Sequence, residues 1–258
     1  MTDKMLEAFD GTRTAGAIAS SALDEVTKII RPGIKTDEID KLCYEFINDN
    51  GAYSAPLFYR GFPKSCCTSP NHTVCHGIPK DKILKEGDIL NVDVTSLKNG
   101  WHGDTSRMYF VGEVSTKAKK LVNTTYQAMI NSIKILKSGV HLGDLGSAIQ
   151  KHVESEGYSV VRDFCGHGTG KNFHEPPNVL HYGEPKTGSI LKTGMIFTVE
   201  PMINEGNFET KLLNDGWTAV TKDKKLSAQF EHTIGITEDG YEIFTSSKKG
   251  LNFPPYKK

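Results

Sequence analysis

The sequence predicts a mixed α/β domain built from two similar halves, and three features of the chain lead to this prediction. An internal repeat has a period of about a hundred residues, amphipathic helical patterns occur in both halves, and strand-like runs flank a tight-turn signal. A length of 258 residues suits one large domain or two small ones. We expect a single domain over residues 1–258, with repeat-related halves of roughly 1–112 and 113–258.

The repeat is a helical pattern that lies between two glycines. Each copy reads as an amphipathic helix that a glycine stops. The first copy contains Gly33, Ile34, Ile39, Leu42, Cys43, Ile47 and Gly51. The second copy contains, at the same spacing, Gly139, Val140, Leu145, Ala148, Ile149, Val153 and Gly157. A further helical pattern precedes each copy, within residues 18–29 and 121–136.

The segment I-L-N-V-D-V-T-S-L-K-N-G-W-H-G-D, residues 89–104, predicts a β-hairpin because two apolar runs flank Asn99-Gly100. A turn at Asn99-Gly100 pairs Asp104 with Thr95, which makes Asp104 a diagonal neighbour of Asp93 on one face. An ionised carboxylate within such a strand must be paired or bound to a metal, because its desolvation is costly. Two carboxylates on one face repel each other, so a shared cation is the simplest partner.

The repeat also nominates carboxylates in the second half. E-G-D-I-L-N-V-D, residues 86–93, matches T-G-M-I-F-T-V-E, residues 193–200, so Glu200 is the counterpart of Asp93. Asp104-Thr105 has a looser counterpart in Glu231-His232-Thr233. Two halves packed face to face would bring four strand carboxylates together, and about two divalent cations would neutralise them. The alternative is that the four acids are solvent-exposed strand residues without a shared function. This alternative is disfavoured because Asp93 and Glu200 interrupt apolar runs, where an isolated charge is rarely buried.

Three of the nine histidines occur in glycine-rich or proline-bounded segments that are typical of site loops. They are His76 in V-C-H-G-I-P, His167 in C-G-H-G-T-G and His174 in N-F-H-E-P-P. We interpret the others as ordinary core or surface residues, namely His72, His102, His141, His152, His181 and His232. His232 adjoins Glu231, but strand alternation directs it to the opposite face.

Composition excludes several classes of protein. Basic and acidic residues both number 31, so the net charge does not indicate a nucleic acid or membrane partner. No apolar signal region begins the sequence, and no segment approaches a membrane span. The five cysteines lack C-x-x-C spacing, which disfavours a disulfide framework and a zinc finger and favours a cytoplasmic protein. We expect Cys66, Cys67 and Cys75 to be packing residues unless a ligand pocket includes them.

Three other chemistries do not fit the sequence. The segment G-H-G-T-G-K, residues 166–171, fails the phosphate-loop pattern, because Cys165 stands where a glycine is needed and Asn172 where a hydroxyl residue is needed. Lys171 occupies the place of the third glycine of a dinucleotide fingerprint. A G-x-S-x-G nucleophile motif does not occur, and Cys75 beside His76 says little about spatial pairing.

Seven short motifs carry a resemblance to a known family. They are V-C-H-G-I-P, N-V-D-V, H-G-D-T-S, G-H-G-T-G, F-H-E-P-P, F-T-V-E-P and A-Q-F-E-H-T. In this order and spacing the chain resembles type I methionine aminopeptidases over nearly its whole length. The resemblance implies a pita-bread fold, in which two pseudo-symmetric halves share a curved, mainly antiparallel sheet with helices on its outer face. It also implies that residues 1–258 form one catalytic domain.

The resemblance implies a site for two divalent metal ions. The ligands would be Asp93, Asp104, His167, Glu200 and Glu231. Asp104 and Glu231 would bridge the ions, Asp93 would bind one of them in bidentate fashion, and His167 and Glu200 would bind the other. One imidazole with four carboxylates suits Co, Mn, Fe or Zn, and composition does not choose among them.

The implied reaction is hydrolysis that removes an N-terminal methionine, preferentially before a small second residue. A metal-activated bridging water would attack the scissile carbonyl. Glu200 would move a proton, His174 would donate to the oxyanion and His76 would hold the scissile amide. The implied methionine pocket consists of Tyr59, Phe62, Cys67, Phe173 and Trp217. Pro56 departs from the family, in which familiar members have Cys.

The implied partner is a peptide or nascent chain that begins with methionine, and the protein is expected to be a cytoplasmic monomer. The ribosome is a further candidate partner. The lysines that could contact ribosomal RNA are Lys117, Lys119, Lys120, Lys248, Lys249, Lys257 and Lys258. Scattered lysines are, however, more often simply solvated. Aminopeptidase P, prolidase and creatinase relatives share the fold and are alternatives. A metal-free binding module of the same fold is another, and it is disfavoured because all five ligand positions are intact.

Overall fold

A computed structural model describes residues 1–256, and the candidate ribosome contacts Lys257 and Lys258 lie outside the described residues. The helices are α1 (Asp3–Ile29), α2 (Thr36–Asp49), α3 (Thr116–Ile133) and α4 (Leu142–Ser155). The strands are β1 (Tyr53–Ser54), β2 (Cys67–Pro70), β3 (Thr73–Cys75), β4 (Ile89–Lys98), β5 (Trp101–Phe110), β6 (Ser159–Val160), β7 (Gly166–Gly168), β8 (Glu175–Val179), β9 (Ile196–Val199), β10 (Met202–Asn204), β11 (Thr210–Leu212), β12 (Ala219–Thr221), β13 (Ser227–Gln229), β14 (His232–Ile236) and β15 (Tyr241–Ile243). Within residues 1–256, none of the helices combines the length and apolar character that crossing a bilayer requires.

The predicted hairpin is confirmed. β4 and β5 pair in an antiparallel register that places Thr95 opposite Asp104 and Asp93 opposite Ser106. Asn99 and Gly100 form the two-residue connection with φ angles of 51° and 82°. Both angles are left-handed, as the twist of a tight hairpin requires, and Asn and Gly are the residues that adopt such angles at least cost. The turn therefore sets the register that brings Asp93 and Asp104 to one face.

The helices of the repeat are also confirmed. Gly51 and Gly157 follow the last residues of α2 and α4 with φ angles of 63° and 81°. A residue with a side chain is strained at such angles, so glycine is favoured where each helix ends. The strands that the repeat predicts, β4 and β9, each follow a glycine turn, at Gly87 and Gly194, with φ angles of 87° and 89°. The local structure is thus repeated where the sequence is repeated.

Helix α1 lies directly on the β4–β5 hairpin. Its N-terminus is capped by Thr2, whose hydroxyl accepts a hydrogen bond from the Met5 N–H. The helix approaches β5 so closely that a Cβ on Gly103 would lie 2.2 Å from the backbone nitrogen of Gly16. The absence of a side chain on Gly103 permits this contact, which buries the Ala-rich face of the helix against the back of the hairpin.

Every strand pair in the described chain is antiparallel, in agreement with the predicted sheet. β1, β2 and β5 surround β4 in one sheet, and the order β15-β14-β9-β7-β8 forms another. Two three-stranded sheets have the orders β13-β10-β6 and β11-β12-β3. Backbone hydrogen bonds between Ser106 and Glu231 connect β5 to the segment before β14. This bridge brings the carboxylates of the two halves together.

The two principal hydrophobic clusters lie between the sheets and the helices. One cluster contains Leu23 and Val26 of α1, Ile39 and Ile47 of α2, and residues of β4 and β5. The other contains residues of α3 and α4 together with Phe197, Val199 and Ile234. The helices therefore cover one side of the sheets, and the opposite side is left to form a cavity.

Candidate active site

A cavity of about 520 Å³ lies on the side of the sheets opposite the helices. Every residue that the sequence nominated for metal binding, catalysis or substrate binding lines it. These residues are Tyr59, Phe62, Cys67, His76, Asp93, Asp104, His167, Phe173, His174, Glu200, Trp217 and Glu231. Pro56 and Cys75 also line the cavity, whereas Cys66 belongs to the hydrophobic core.

Asp104 is held rigidly from both halves of the chain. The Thr95 hydroxyl, directly across the hairpin, donates to Asp104 Oδ1 at 2.6 Å. The Asp104 N–H donates to the Thr233 hydroxyl, which in turn donates to the Asp104 carbonyl oxygen, at 3.0 and 2.7 Å. Side chain and backbone are both fixed, so the second carboxylate oxygen has a defined direction into the cavity.

Glu200 and Glu231 differ from the prediction that all four acids come from strands. Glu200 follows the last residue of β9, and Glu231 lies between β13 and β14 in sequence, where it forms an isolated bridge with Ser106 of β5. Pro201 explains the first difference, because proline has no N–H with which to continue a ladder. The Glu200 N–H instead donates to Nε2 of the buried His181 at 3.1 Å.

The Glu200 carboxylate is hydrogen bonded at both oxygens. The Thr198 hydroxyl donates to Oε1 at 2.6 Å. The side-chain amide of Gln229 donates to Oε2 at 3.3 Å. Glu200 therefore has one strong and one longer hydrogen bond that orient it toward the other acids.

His167 lies on β7 between acids from the two halves. Its Nε2 is 3.6 Å from Asp104 Oδ2 and 3.6 Å from Glu200 Oε1. Its Nδ1 lies 3.1 Å from the Gly168 carbonyl oxygen. A carbonyl can only accept, so Nδ1 carries the proton and the Nε2 lone pair faces the carboxylates. Burial lowers the pKa of His167 to about 4, which keeps the ring neutral at pH 7.

Three of these residues satisfy the distance requirement for a metal site. Asp104, His167 and Glu231 each present one ligand atom, and these atoms all lie within 4.8 Å of one another. All three side chains are buried. A site of carboxylate oxygens and one imidazole nitrogen suits divalent cations of hard to borderline character.

The electrostatics of the cavity favour cations. Burial raises the pKa of all four carboxyl groups, to about 7 for Asp104 and well above the usual range for Asp93, Glu200 and Glu231. Arg60 is the one permanently cationic side chain among the described residues of the lining, and it is solvent-exposed. Buried carboxylates without a counter-charge are unfavourable. The residues present therefore fit a bound divalent metal.

Aromatic rings form the wall of the cavity beside the acids. The Tyr59 ring lies 4.8 Å from Phe173 and stacks on His174 at 5.2 Å. Phe62 and Trp217 meet edge to face at 5.2 Å. Together with the buried thiol of Cys67, these rings form a polarizable apolar surface of the kind that suits a thioether.

The two candidate catalytic histidines are neutral. Burial lowers the pKa of His174 to about 3 and also lowers that of His76. The His174 ring centroid lies 4.0 Å from that of His167. His76 has a left-handed φ of 55°, and its ring meets Phe164 edge to face at 5.4 Å. A non-glycine residue at such an angle is uncommon, and such residues are concentrated at functional sites.

The predicted hairpin placed Thr95 opposite Asp104, but sequence patterns did not identify Thr95, Thr198, Gln229 or His181 as residues that hold these groups. Thr95 and Thr198 each lie two positions from an acid, so strand alternation alone could have placed them on the same face. Gln229 lies two positions before Glu231, so the same alternation could have placed it, whereas His181 belongs to a separate segment in which no local pattern indicates its role. His102, interpreted as an ordinary residue, stacks on Phe173 at 5.5 Å and contacts the Gly170 carbonyl oxygen. His232 contacts Thr245, away from the cavity, as alternation predicts.

The chain is similar to proteins of a known family over nearly its whole length. Residues 10–238 match the profile of metallopeptidase family M24. The methionine aminopeptidase of Rickettsia prowazekii (strain Madrid E) is 56% identical, over 96% of each chain. That of Escherichia coli (strain K12) is 48% identical, over 95% of this chain and 94% of the other. The crystal structure of the Rickettsia prowazekii enzyme superposes with a TM-score of 0.92, at 54% identity, covering 95% of this chain and 98% of that one.

Proposed function

The chain belongs to metallopeptidase family M24, and from this premise we propose how its residues remove an N-terminal methionine. The enzyme class is established by identity to methionine aminopeptidases over nearly the whole length of the chain, and the reaction is metal-dependent. The expected pita-bread fold is confirmed by the same match. The roles of individual residues, the number of metal ions and the substrate preference are our proposals.

The proposal for the metal site is a pair of divalent cations. Asp93, Asp104, His167, Glu200 and Glu231 would hold these ions. The observation that carries this proposal is the position of His167 Nε2, 3.6 Å from carboxylate oxygens of Asp104 and Glu200. Bound cations would supply Lewis acidity, which lowers the pKa of water and polarises the scissile carbonyl.

The protein's own residues would orient the substrate and move the proton. Glu200, oriented by Thr198 and Gln229, would accept a proton from the attacking water and deliver it to the leaving amine. His174 is neutral and so has an N–H to donate to the developing oxyanion. His76, also neutral, would donate to or accept from the scissile amide. These roles require contact with the substrate, which the common cavity permits.

The substrate would enter with its methionine side chain against Tyr59, Phe62, Cys67, Phe173 and Trp217. An apolar wall made of rings and one thiol suits a thioether. We propose that the same walls leave space only for a small second residue. The expected partners are therefore nascent chains that begin with methionine, and a cytoplasmic monomer that works near the ribosome is consistent with this activity.

The test is a metal-replacement assay with matched peptides. Chelator-treated protein should release no methionine, and Mn(II) or Co(II) should restore release. A peptide that begins Met-Gly should then be cut faster than an otherwise identical peptide that begins Met-Lys. Equal rates for the two peptides would contradict the proposed second-residue preference, and activity that persists without metal would contradict the proposed site.

A further inference from the structure

Thr198 lies at the centre of a hydrogen-bond chain that connects two of the proposed metal ligands. It occupies β9, and its side chain is fully buried. The backbone N–H of His167 donates to the Thr198 hydroxyl at 3.0 Å. The hydroxyl donates to Glu200 Oε1 at 2.6 Å. An amide N–H can only donate, and a Glu200 carboxylate that binds a cation is ionised and can only accept, so in the metal-bound protein both bonds have a fixed direction.

The carboxylate oxygen that Thr198 holds is the one nearest the imidazole. Glu200 Oε1 lies 3.6 Å from His167 Nε2, and the same Oε1 receives the Thr198 hydrogen bond. Within residues 1–256, the other oxygen has only the longer contact with Gln229, at 3.3 Å. A hydroxyl bond to a charged acceptor at 2.6 Å is strong. Thr198 therefore fixes both the orientation of Glu200 and its distance from β7, the strand that carries His167.

We propose that Thr198 is a positioning residue that sets the metal affinity of the His167–Glu200 side of the site. The inference rests on the ligand roles proposed above and adds a residue that contacts neither metal nor substrate. Hydrogen bonds to ligands from surrounding residues typically change metal affinity by about 10–100-fold when they are removed. The side-chain hydroxyl is the group that would set metal affinity. Thr198 also pairs with Thr233 of β14, but that pairing uses backbone atoms and does not need the hydroxyl.

The variant that isolates the hydroxyl is Thr198→Val. Valine has nearly the same shape and an equal preference for strands, so the change removes the hydroxyl with little change in volume. Thr198→Ser keeps the hydroxyl and loses only a methyl group. A matched control is Thr125→Val in α3, where a fully buried threonine hydroxyl donates to the Leu121 carbonyl oxygen, in the helix layer and outside the cavity lining.

The experiment is calorimetric titration of Mn(II) into chelator-treated full-length protein. Thr198→Val should weaken the affinity of at least one site by about 10–100-fold, whereas Thr198→Ser should restore most of it. Thr125→Val should bind Mn(II) like the wild type. A Thr198→Val variant that binds Mn(II) with wild-type affinity would overturn the inference.

Two further variants make the result unambiguous. Glu200→Gln tests the proposed ligand set itself: if it also binds Mn(II) like the wild type, the proposed function of Glu200 fails. If Glu200→Gln loses affinity and Thr198→Val does not, only the inference about Thr198 fails. Should Thr198→Val not fold, Thr198→Cys takes its place, because a thiol is a weaker donor and should give intermediate affinity. Wild-type affinity in the Cys variant would equally overturn the inference.

Discussion

Nε2 of His167 lies 3.6 Å from Oδ2 of Asp104, although β7 and β5 belong to different sheets and to different halves of the sequence. The separation is too long for a strong hydrogen bond. It is suitable for two atoms that bind one cation, because protein nitrogen and oxygen ligands each lie about 2 Å from a transition metal. The pair therefore connects the folding of the two halves to metal binding.

Asp104→Asn should abolish tight metal binding. The substitution keeps the size of the side chain and its contact with Thr95 but removes the negative charge that is proposed to bind the cations. We expect the metal content after dialysis and the methionine release to fall together. Asp239→Asn, in an exposed loop, is the control and should change neither. Full metal content in Asp104→Asn would show that Asp104 is not a ligand.

Metal binding should release protons at slightly acidic pH. Burial raises the pKa of Asp104 from 3.8 to about 7, so this carboxyl is largely protonated at pH 6 in the metal-free protein and must lose its proton to bind a cation. His167 contributes no proton, since its pKa is lowered to about 4. Proton release should therefore decrease, and metal affinity increase, as the pH rises from 6 to 8.

Calorimetric titrations in two buffers of different ionisation enthalpy measure this release. The apparent binding enthalpy should depend on the buffer at pH 6 and depend on it less at pH 8. A buffer-independent enthalpy at pH 6 would mean that the carboxyl groups are already ionised in the metal-free protein.

His174→Ala should lower kcat without loss of metal. His174 is neutral and can donate a hydrogen bond to the developing oxyanion, so its removal should lower kcat by about 10²–10³-fold. Metal content, measured on the same sample by elemental analysis, should stay at the wild-type level. His152→Ala on α4, outside the cavity lining, serves as the control. Should metal be lost in step with activity, His174 is a ligand and not an oxyanion donor.

Arg107→Ala should destabilise the fold strongly. Arg107 Nη1 lies 2.6 Å from Asp24 Oδ1, and both side chains are almost completely buried between β5 and α1. Removal of one member of a buried ion pair leaves the other uncompensated and costs about 3–5 kcal/mol. The exposed Arg13, which pairs with Glu242, offers a comparison, because Arg13→Ala should cost about 1 kcal/mol or less.

Urea unfolding of both variants, followed by circular dichroism, measures these differences in the free energy of unfolding. If Arg107→Ala and Arg13→Ala are equally stable, the buried pair contributes no more than a surface pair. The double variant Arg107→Met with Asp24→Leu should recover much of the lost stability, since it removes both charges together.

Sequence patterns predicted the local structure around the site because local chemistry controls it. The left-handed preference of Asn99-Gly100 sets the hairpin register, and that register alone places Asp104 opposite Thr95. The glycine stops after α2 and α4 and the glycine turns before β4 and β9 follow from the repeat in the same way. The assignment of all four acids to strands was wrong for Glu200 and Glu231, because Pro201 ends one ladder and Glu231 belongs to an isolated bridge.

The chain by itself determined its family, its helices and hairpin, and which acids and histidines are candidates for the site. The repeat period, the residues of the hairpin turn and the spacing of the motifs can all be read directly from the sequence. Only the tertiary structure decided that Thr198 connects His167 to Glu200, that His181 and Gln229 support Glu200, and that Ser106 bridges to Glu231. Apart from the bond between Thr198 and Glu200, these contacts join segments distant in sequence, and they form only when the strands and helices pack around the two hydrophobic cores.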